Sequence, residues 1–200
     1  MRIDYRYFSV IDSTNEEAKR VAKLSSESLQ NQAIVFVSDT QTAGRGTHGK
    51  RWESDSAGGL YYTLLISQPE FDFERVEYYL KGIALAVVKT IRIVAGIYTE
   101  VEWPNDIILD QKKCAGILLE TASQAHSKNP HYVMIGIGLN LNQTSFSPEL
   151  TPIAISLRQK TQQHYDKNTV IHTLTKELLA WQYEAFEVQS PLKTIQKKTF

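Results

Sequence analysis

The spacing of apolar positions changes several times along the chain, and each change marks an element. Tyr5 to Val10 alternates as a strand does, and Ser13-x-x-Glu16 ahead of Ala18, Val21, Ala22 and Leu24 predicts an amphipathic helix opened by a capping box. Ala33 to Ser38 and Leu60 to Ser67 are β-branched and aromatic runs of buried-strand length. From Glu74 to Val94 the positions Val76, Leu80, Ile83, Leu85, Ala86, Val87, Ile91 and Val94 follow the helical period and predict a long, largely buried helix. Glu100 to Trp103, Ile107 to Leu109, Cys114 to Thr121 and Tyr132 to Ile137 are predicted strands, with turns at Pro104-Asn-Asp and Asp110-Gln-Lys. A short helix over Pro152 to Lys160 and a longer one over Thr169 to Val188, with Leu174, Leu178, Leu179, Trp181 and Phe186 as its apolar content, complete the pattern. Strands in hairpin order with helices gathered on one side indicate an α+β fold around a mixed, mostly antiparallel sheet.

Composition narrows this to one domain over residues 1–200, since 200 residues with 42% hydrophobic content make one well-buried core and not two. With 22 basic and 22 acidic side chains the net charge is zero, so no overall field favours nucleic acid or an anionic membrane. No apolar run reaches signal-peptide or membrane length, and Cys114 has no second cysteine to pair with; both point to the cytoplasm. No repeat, low-complexity tract or linker divides the chain.

Local clustering carries the chemistry. The loop Gln41-Thr-Ala-Gly-Arg-Gly-Thr-His-Gly-Lys-Arg-Trp52 sets Gly44, Gly46 and Gly49 among Arg45, Lys50 and Arg51, a cradle in which bare backbone N–H groups and cations can surround a phosphate. An ordinary surface turn has no use for that charge density, and with nothing apolar to anchor it before Trp52 the loop is expected to move. Downstream, Trp103-Pro-Asn-Asp106 and Lys113 bring a carboxylate and an amine to facing strands, as activation of a carboxylic acid requires. Alternation from Ala115 and Ile117 as inward positions sets Lys113 inward and Lys112 outward. The start of the first helix, Ser13, Thr14 and Asn15, offers hydroxyls and free N–H groups to a polar ligand. Plainer roles stay open: Asp106 as an Asx cap of its turn, and Asn140 after Gly138 as a left-handed turn residue. Cys114 fits strand packing better than nucleophilic attack, and His48 fits a solvated loop tip. His126, His131, His164 and His172 lack zinc-ligand spacing.

Asp12-Ser-Thr-Asn15, Gln41 to Trp52, Gly59-Leu-Tyr61, Trp103 to Asp106, Lys113 to Gly116 and Gly136-Ile-Gly-Leu-Asn140 together, in this order, resemble the catalytic domain of the biotin protein ligases, which join biotin to a lysine of a carboxylase carrier domain. The resemblance implies MgATP and biotin as substrates, biotinyl-5′-AMP as the intermediate, and a biotin carboxyl carrier domain as partner. It implies that Ser13, Thr14, Asn15, Gln41, Gly44, Arg45, Gly46, Tyr61, Lys113 and Gly116 meet biotin. It also implies that Arg45, Thr47, His48, Gly49, Lys50, Arg51, Trp52, Asn105, Lys113 and Asn140 meet ATP or the adenylate. Lys113, Arg45 and Asp106 become the catalytic candidates, with magnesium held mainly by the ATP phosphates.

Three departures from the family pattern stand out: Thr47 where a basic residue is usual, Glu102 where lysine is usual, and no small C-terminal β-domain before Phe200. Nor is there room before Ser9 for the helix-turn-helix module by which some members bind DNA, so neither nucleic acid nor membrane is an expected partner, and the protein is expected as a monomer or homodimer. The alternatives are a lipoate or octanoate ligase of the same fold, against which Trp103-Pro-Asn-Asp106 argues, and a weakly catalytic protein that sequesters biotin or its adenylate.

Overall fold

The computed structural model describes residues 1–24, 32–54, 58–67, 71–123 and 132–182. Seven strands form one sheet in the order β1-β2-β3-β7-β6-β5-β4. They are β1 (Arg2–Ile11), β2 (Gln32–Gln41), β3 (Leu60–Ser67), β4 (Glu100–Glu102), β5 (Asp106–Leu109), β6 (Lys112–Ala122) and β7 (Tyr132–Leu139). Helix α1 (Thr14–Leu24) links β1 to β2 and α2 (Val76–Ala95) follows β3, while α3 (Leu157–Thr161) and α4 (Lys167–Gln182) follow β7. β1 and β2 run parallel, because a helical crossover returns the chain in the same direction, and every other pair is antiparallel.

The α+β class and the mixed, mostly antiparallel sheet match expectation; the gathering of all helices on one side does not. Successive residues of a strand point to opposite faces, and here both faces take a helix. Ala33, Val35 and Val37 join β3 and β7 residues such as Leu64 and Ile135 in the main core, under Ile83 and Val87 of α2 and Ile171 and Leu174 of α4. Ile34 and Phe36 face the other way and meet Ala18 and Ala22 of α1, with Leu65, Tyr132 and Met134. Helix α1 buries Thr14, Asn15, Ala18 and Ala22, a stripe at helical spacing whose first turn is polar.

On the main-core face α2 and α4 cross closely, with Trp181 lying where a side chain at Gly82 would stand. Leu85 was expected among the buried positions but is 58% exposed, since it falls on the outer face of α2. The capping box appears at α3, where Ser156 and Gln159 satisfy each other's backbone N–H groups, so this helix begins five residues later than the sequence suggested. The expected continuation of α4 to Val188 lies outside the described residues, as do the polar tail from Gln189, His126 and His131. Among the described residues no helix is long and apolar enough to cross a membrane.

Candidate active site

Toward the α1 face, three central strands present residues that leave the sheet almost bare. Gly116 of β6 pairs with Gly138 of β7, which pairs with Tyr61 of β3; one row along, Leu118, Gly136 and Thr63 are in register. Glycine inside a strand weakens it and marks a close approach by another group. Asn15 occupies the space over Gly136, its Oδ1 only 2.3 Å from where a Cβ would stand, and the Trp52 indole covers Gly116 and Gly138 at 2.7 and 2.4 Å from theirs. The cleft between Ser13–Asn15, the 45–52 loop and this floor retains about 40 Å³, room for a few waters, and a ligand that reaches Gly116 and Gly138 has to displace Trp52.

One end of the cleft is a closed hydrogen-bond network. Gln41 Oε1 accepts from the Thr14 backbone N–H at 2.9 Å and from the Thr14 hydroxyl at 3.2 Å, while Gln41 Nε2 donates to Ser54 Oγ at 3.2 Å. Thr63 Oγ1 lies 2.8 Å from Thr14 Oγ1 and 2.6 Å from Asn15 Oδ1. Asn15 Nδ2 donates to Glu120 Oε2 at 2.9 Å. The α1 N-terminus is therefore satisfied by Gln41, and Glu16, expected to fold back as the partner of a capping box, reaches forward to Arg45 instead. Asp12 braces the same turn: its carboxylate accepts from Ser13 N at 2.7 Å and pairs with Arg20, whose guanidinium pulls the Asp12 pKa down to about 2.

The other end is built on Lys113. Its Nζ makes a 2.7 Å ion pair with Asp106 Oδ1, lies 5.3 Å from the Trp52 ring centroid, and sits 3.3 Å from the Cβ position of Gly116. Asn105 Nδ2 donates to the same Asp106 oxygen at 2.9 Å. Simple alternation cannot put Lys113 here, because Ala115 and Ile117 belong to the main core on the opposite face. The β5–β6 register shifts instead: Ile107 opposes Ala115 and Ile108 opposes Lys113. Cys114 is the extra residue of a bulge, both Cys114 and Ala115 turn into the main core, and Lys113 is thrown onto the cleft side. The inward assignment of Lys113 holds for a reason opposite to the one the alternation offered. Lys112, on the outside, donates to the Thr151 carbonyl at 2.9 Å. Cys114 is buried and its thiol is pushed up to about 12 by desolvation, in keeping with packing and not attack.

Of the residues singled out in the sequence, Ser13, Thr14, Asn15, Gln41, Arg45, Gly46, Thr47, Trp52, Tyr61, Asn105, Lys113 and Gly116 line the cleft, and Asp106 supports it through Lys113. Gly44 stands behind it, where a side chain would come within 2.3 Å of Ser54 Oγ. Asn140 is buried behind Lys113 and donates to its carbonyl at 3.2 Å. His48, Gly49, Lys50 and Arg51 are exposed at the outer turn of the loop, with His48 and Gly49 at positive φ. Acids face this loop: Arg45 pairs with Glu16 and, at 3.2 Å, with Glu120.

Sequence reasoning missed Thr63, Glu16 in this role, and Glu120. Thr63 alone left a signal, a polar side chain in the middle of an otherwise apolar strand. The Trp52 indole N–H is buried without an acceptor, an orphan donor that a ligand entering the cleft would meet. No three His, Cys, Asp or Glu side chains come together as a metal site among the described residues.

The model of the biotin/lipoate A/B protein ligase family matches residues 7–140. A bifunctional ligase/repressor, BirA, of Bacillus spizizenii is 37% identical over 167 residues, which cover 82% of this chain and 49% of the relative. A biotin–[acetyl-CoA-carboxylase] ligase of Mycobacterium tuberculosis is 25% identical over 88% of this chain and 64% of its own length. Among solved structures, the biotin protein ligase of Aquifex aeolicus in complex with biotin and ATP aligns with a TM-score of 0.77 at 27% identity, covering 92% of this chain and 72% of that one. The chain spans about half the length of the first of these curated relatives. A cleft floored by glycine and walled by Thr14, Asn15, Gln41 and Lys113 thus sits inside the matched segment, and the chain belongs to the biotin/lipoate A/B protein ligase family.

Proposed function

We propose that this chain is the catalytic unit of a biotin protein ligase, which forms biotinyl-5′-AMP from biotin and MgATP and passes the biotinyl group to a lysine of a carboxylase carrier domain. The observation that carries the reading is the bulge-driven entry of Lys113 into a cleft whose far end presents the uncharged side chains of Thr14, Asn15, Gln41 and Thr63. A molecule with a polar, uncharged head and a carboxylate tail fits that polarity, and the relatives named above act on or hold such a ligand.

In the first step a carboxylate oxygen of biotin bonds to the α-phosphorus of ATP and pyrophosphate leaves. Two anions must approach, and their repulsion grows as water is excluded. Lys113, aimed by Asp106, offsets it by bridging the carboxylate and the α-phosphoryl oxygens. Ser13, Thr14, Asn15, Gln41, Gly46, Tyr61 and Gly116 receive biotin, and Gly44 lets the chain pack closely behind them. Thr47, His48, Gly49, Lys50, Arg51, Trp52, Asn105 and Asn140 serve the nucleotide side, where magnesium carried by the phosphates would supply further neutralisation of their charge. In the second step the carrier amine, after losing a proton, bonds to the acyl carbon and AMP leaves; Asp106 is our candidate base, and Lys113 steadies the oxyanion. We place the reaction in the cytoplasm.

The test is pyrophosphate release with biotin, ATP and Mg²⁺. Biotin-dependent turnover is the expected result; lipoate-dependent turnover, or binding of biotin without turnover, overturns it.

A further inference from the structure

Arg45 reads from sequence as a phosphate-binding cation, yet its guanidinium is divided between Glu16 of α1 and Glu120 of β6, and Glu120 in turn holds the Asn15 side-chain amide. We infer that Glu16 and Glu120 form an acid clamp on Arg45, which tethers the cradle loop at its first glycine turn and fixes the Asn15 amide for the neutral head group of the acyl substrate. In this inference Arg45 and Glu120 are positioning residues.

Three observations support it. Asn15 is 4% exposed and its amide is oriented from both sides, with Oδ1 receiving the Thr63 hydroxyl and Nδ2 donating to a carboxylate. A charge-assisted hydrogen bond of this kind is stronger than a neutral one, so Asn15 cannot flip without losing it. The acids also outnumber the base, leaving one negative charge at this end of the cleft. Lys113 stands near the start of the same strand, seven residues earlier and about 20 Å away at strand rise. A substrate carboxylate is thereby repelled from the Asn15 end and drawn to the Lys113 end, so the clamp also sets which way round the substrate lies.

Isolated exposed ion pairs contribute little, and Arg45 is 43% exposed. The clamp differs in that one carboxylate, Glu120, is 18% exposed and serves both the loop and the Asn15 side chain.

Two experiments test this. In the ligand-free protein, trypsin cleavage after Lys50 and Arg51 is expected to be several-fold faster in the Glu16→Gln/Glu120→Gln double variant at unchanged melting temperature; an unchanged rate overturns the tether, whatever the protein binds. The second rests on the biotin-ligase reading: Glu120→Ala is expected to raise the KM for biotin about tenfold while KM for ATP and kcat at saturating biotin stay within about twofold, with Glu120→Gln intermediate because it keeps an acceptor for Asn15. A rise in KM for ATP alone, or no change in either KM, overturns the positioning role. Absence of biotin-dependent turnover in the unaltered protein instead refutes the ligase reading and leaves the proteolysis result to decide the clamp.

Discussion

The two faces of this sheet are made from the same strands by alternate residues, yet they do opposite work. Toward α2 and α4, Leu64, Ile117, Ile135 and Ile137 fill the space between layers completely. Toward the cleft, their neighbours Thr63, Gly116, Gly136 and Gly138 leave it bare, to be covered by Asn15 and Trp52. The contrast teaches that an active site on a sheet is a face from which side chains have been withdrawn, held flat by a fully packed face behind it. Each face should therefore answer to a different measurement: the dry one to stability, the bare one to binding and rate.

The largest expected effect is on the bare face. Lys113→Ala should lower biotin-dependent pyrophosphate release on the order of 10² to 10³, since it removes a preorganised cation from a step that joins two anions. Its melting temperature should stay near that of the unaltered protein, because Lys113 packs against the cleft and not the core. A large fall in melting temperature would mean that the two faces are not separable at this position.

Ile135 and Gly136 are adjacent on β7 and sharpen the comparison within one peptide unit. Ile135→Ala deletes buried methyl groups from the main core and should cost about 2–5 kcal/mol of stability, read by urea unfolding, with biotin affinity unchanged in the folded fraction. Gly136→Ala should do the reverse. Its methyl would stand 2.3 Å from Asn15 Oδ1, and Asn15 cannot retreat without breaking its bonds to Thr63 and Glu120, so biotin affinity should fall about tenfold by calorimetry, with a loss of stability smaller than that of Ile135→Ala. Equal loss of stability in both variants would refute the division of labour.

Much of this was legible in the sequence, for physical reasons that also mark where reading stopped. Strand and helix periods are local, so β3 was found to the residue and α2 nearly so. Which face a helix covers is not local: α1 lies on the far side from α2 and α4 because the β1–α1–β2 crossover carries it there. Motif order identified Lys113, but its direction depends on the bulge at Cys114, which strict alternation hides. Glu16 matched a capping box by spacing alone, until an arginine 29 residues away in sequence proved the stronger partner. Thr63 and Glu120 lie on strands whose pairing brings them to Asn15, so their role appears only once the register is known.

The smallest expected effect concerns the part of the bare face that nothing covers tightly. Thr47 lines the cleft one turn beyond the Arg45 clamp, where the family resemblance leads one to expect a cation. On the reading proposed above, a hydroxyl there would leave the adenylate held at the loop by the backbone and by exposed charges at Lys50 and Arg51, and it should escape more readily into solvent. Thr47→Arg adds one exposed ion pair to a phosphate, worth about 0.2–1 kcal/mol, so the release of activated biotin should slow by about 1.4-fold to fivefold. Labelling of bystander lysines during single-turnover adenylation measures that release directly. The effect should shrink as salt is raised, because the added interaction is exposed and screened. If labelling is the same in both proteins at low salt, Thr47 is not where the intermediate leaks, and retention must come from the packed elements of the site, with Trp52 the next residue to examine.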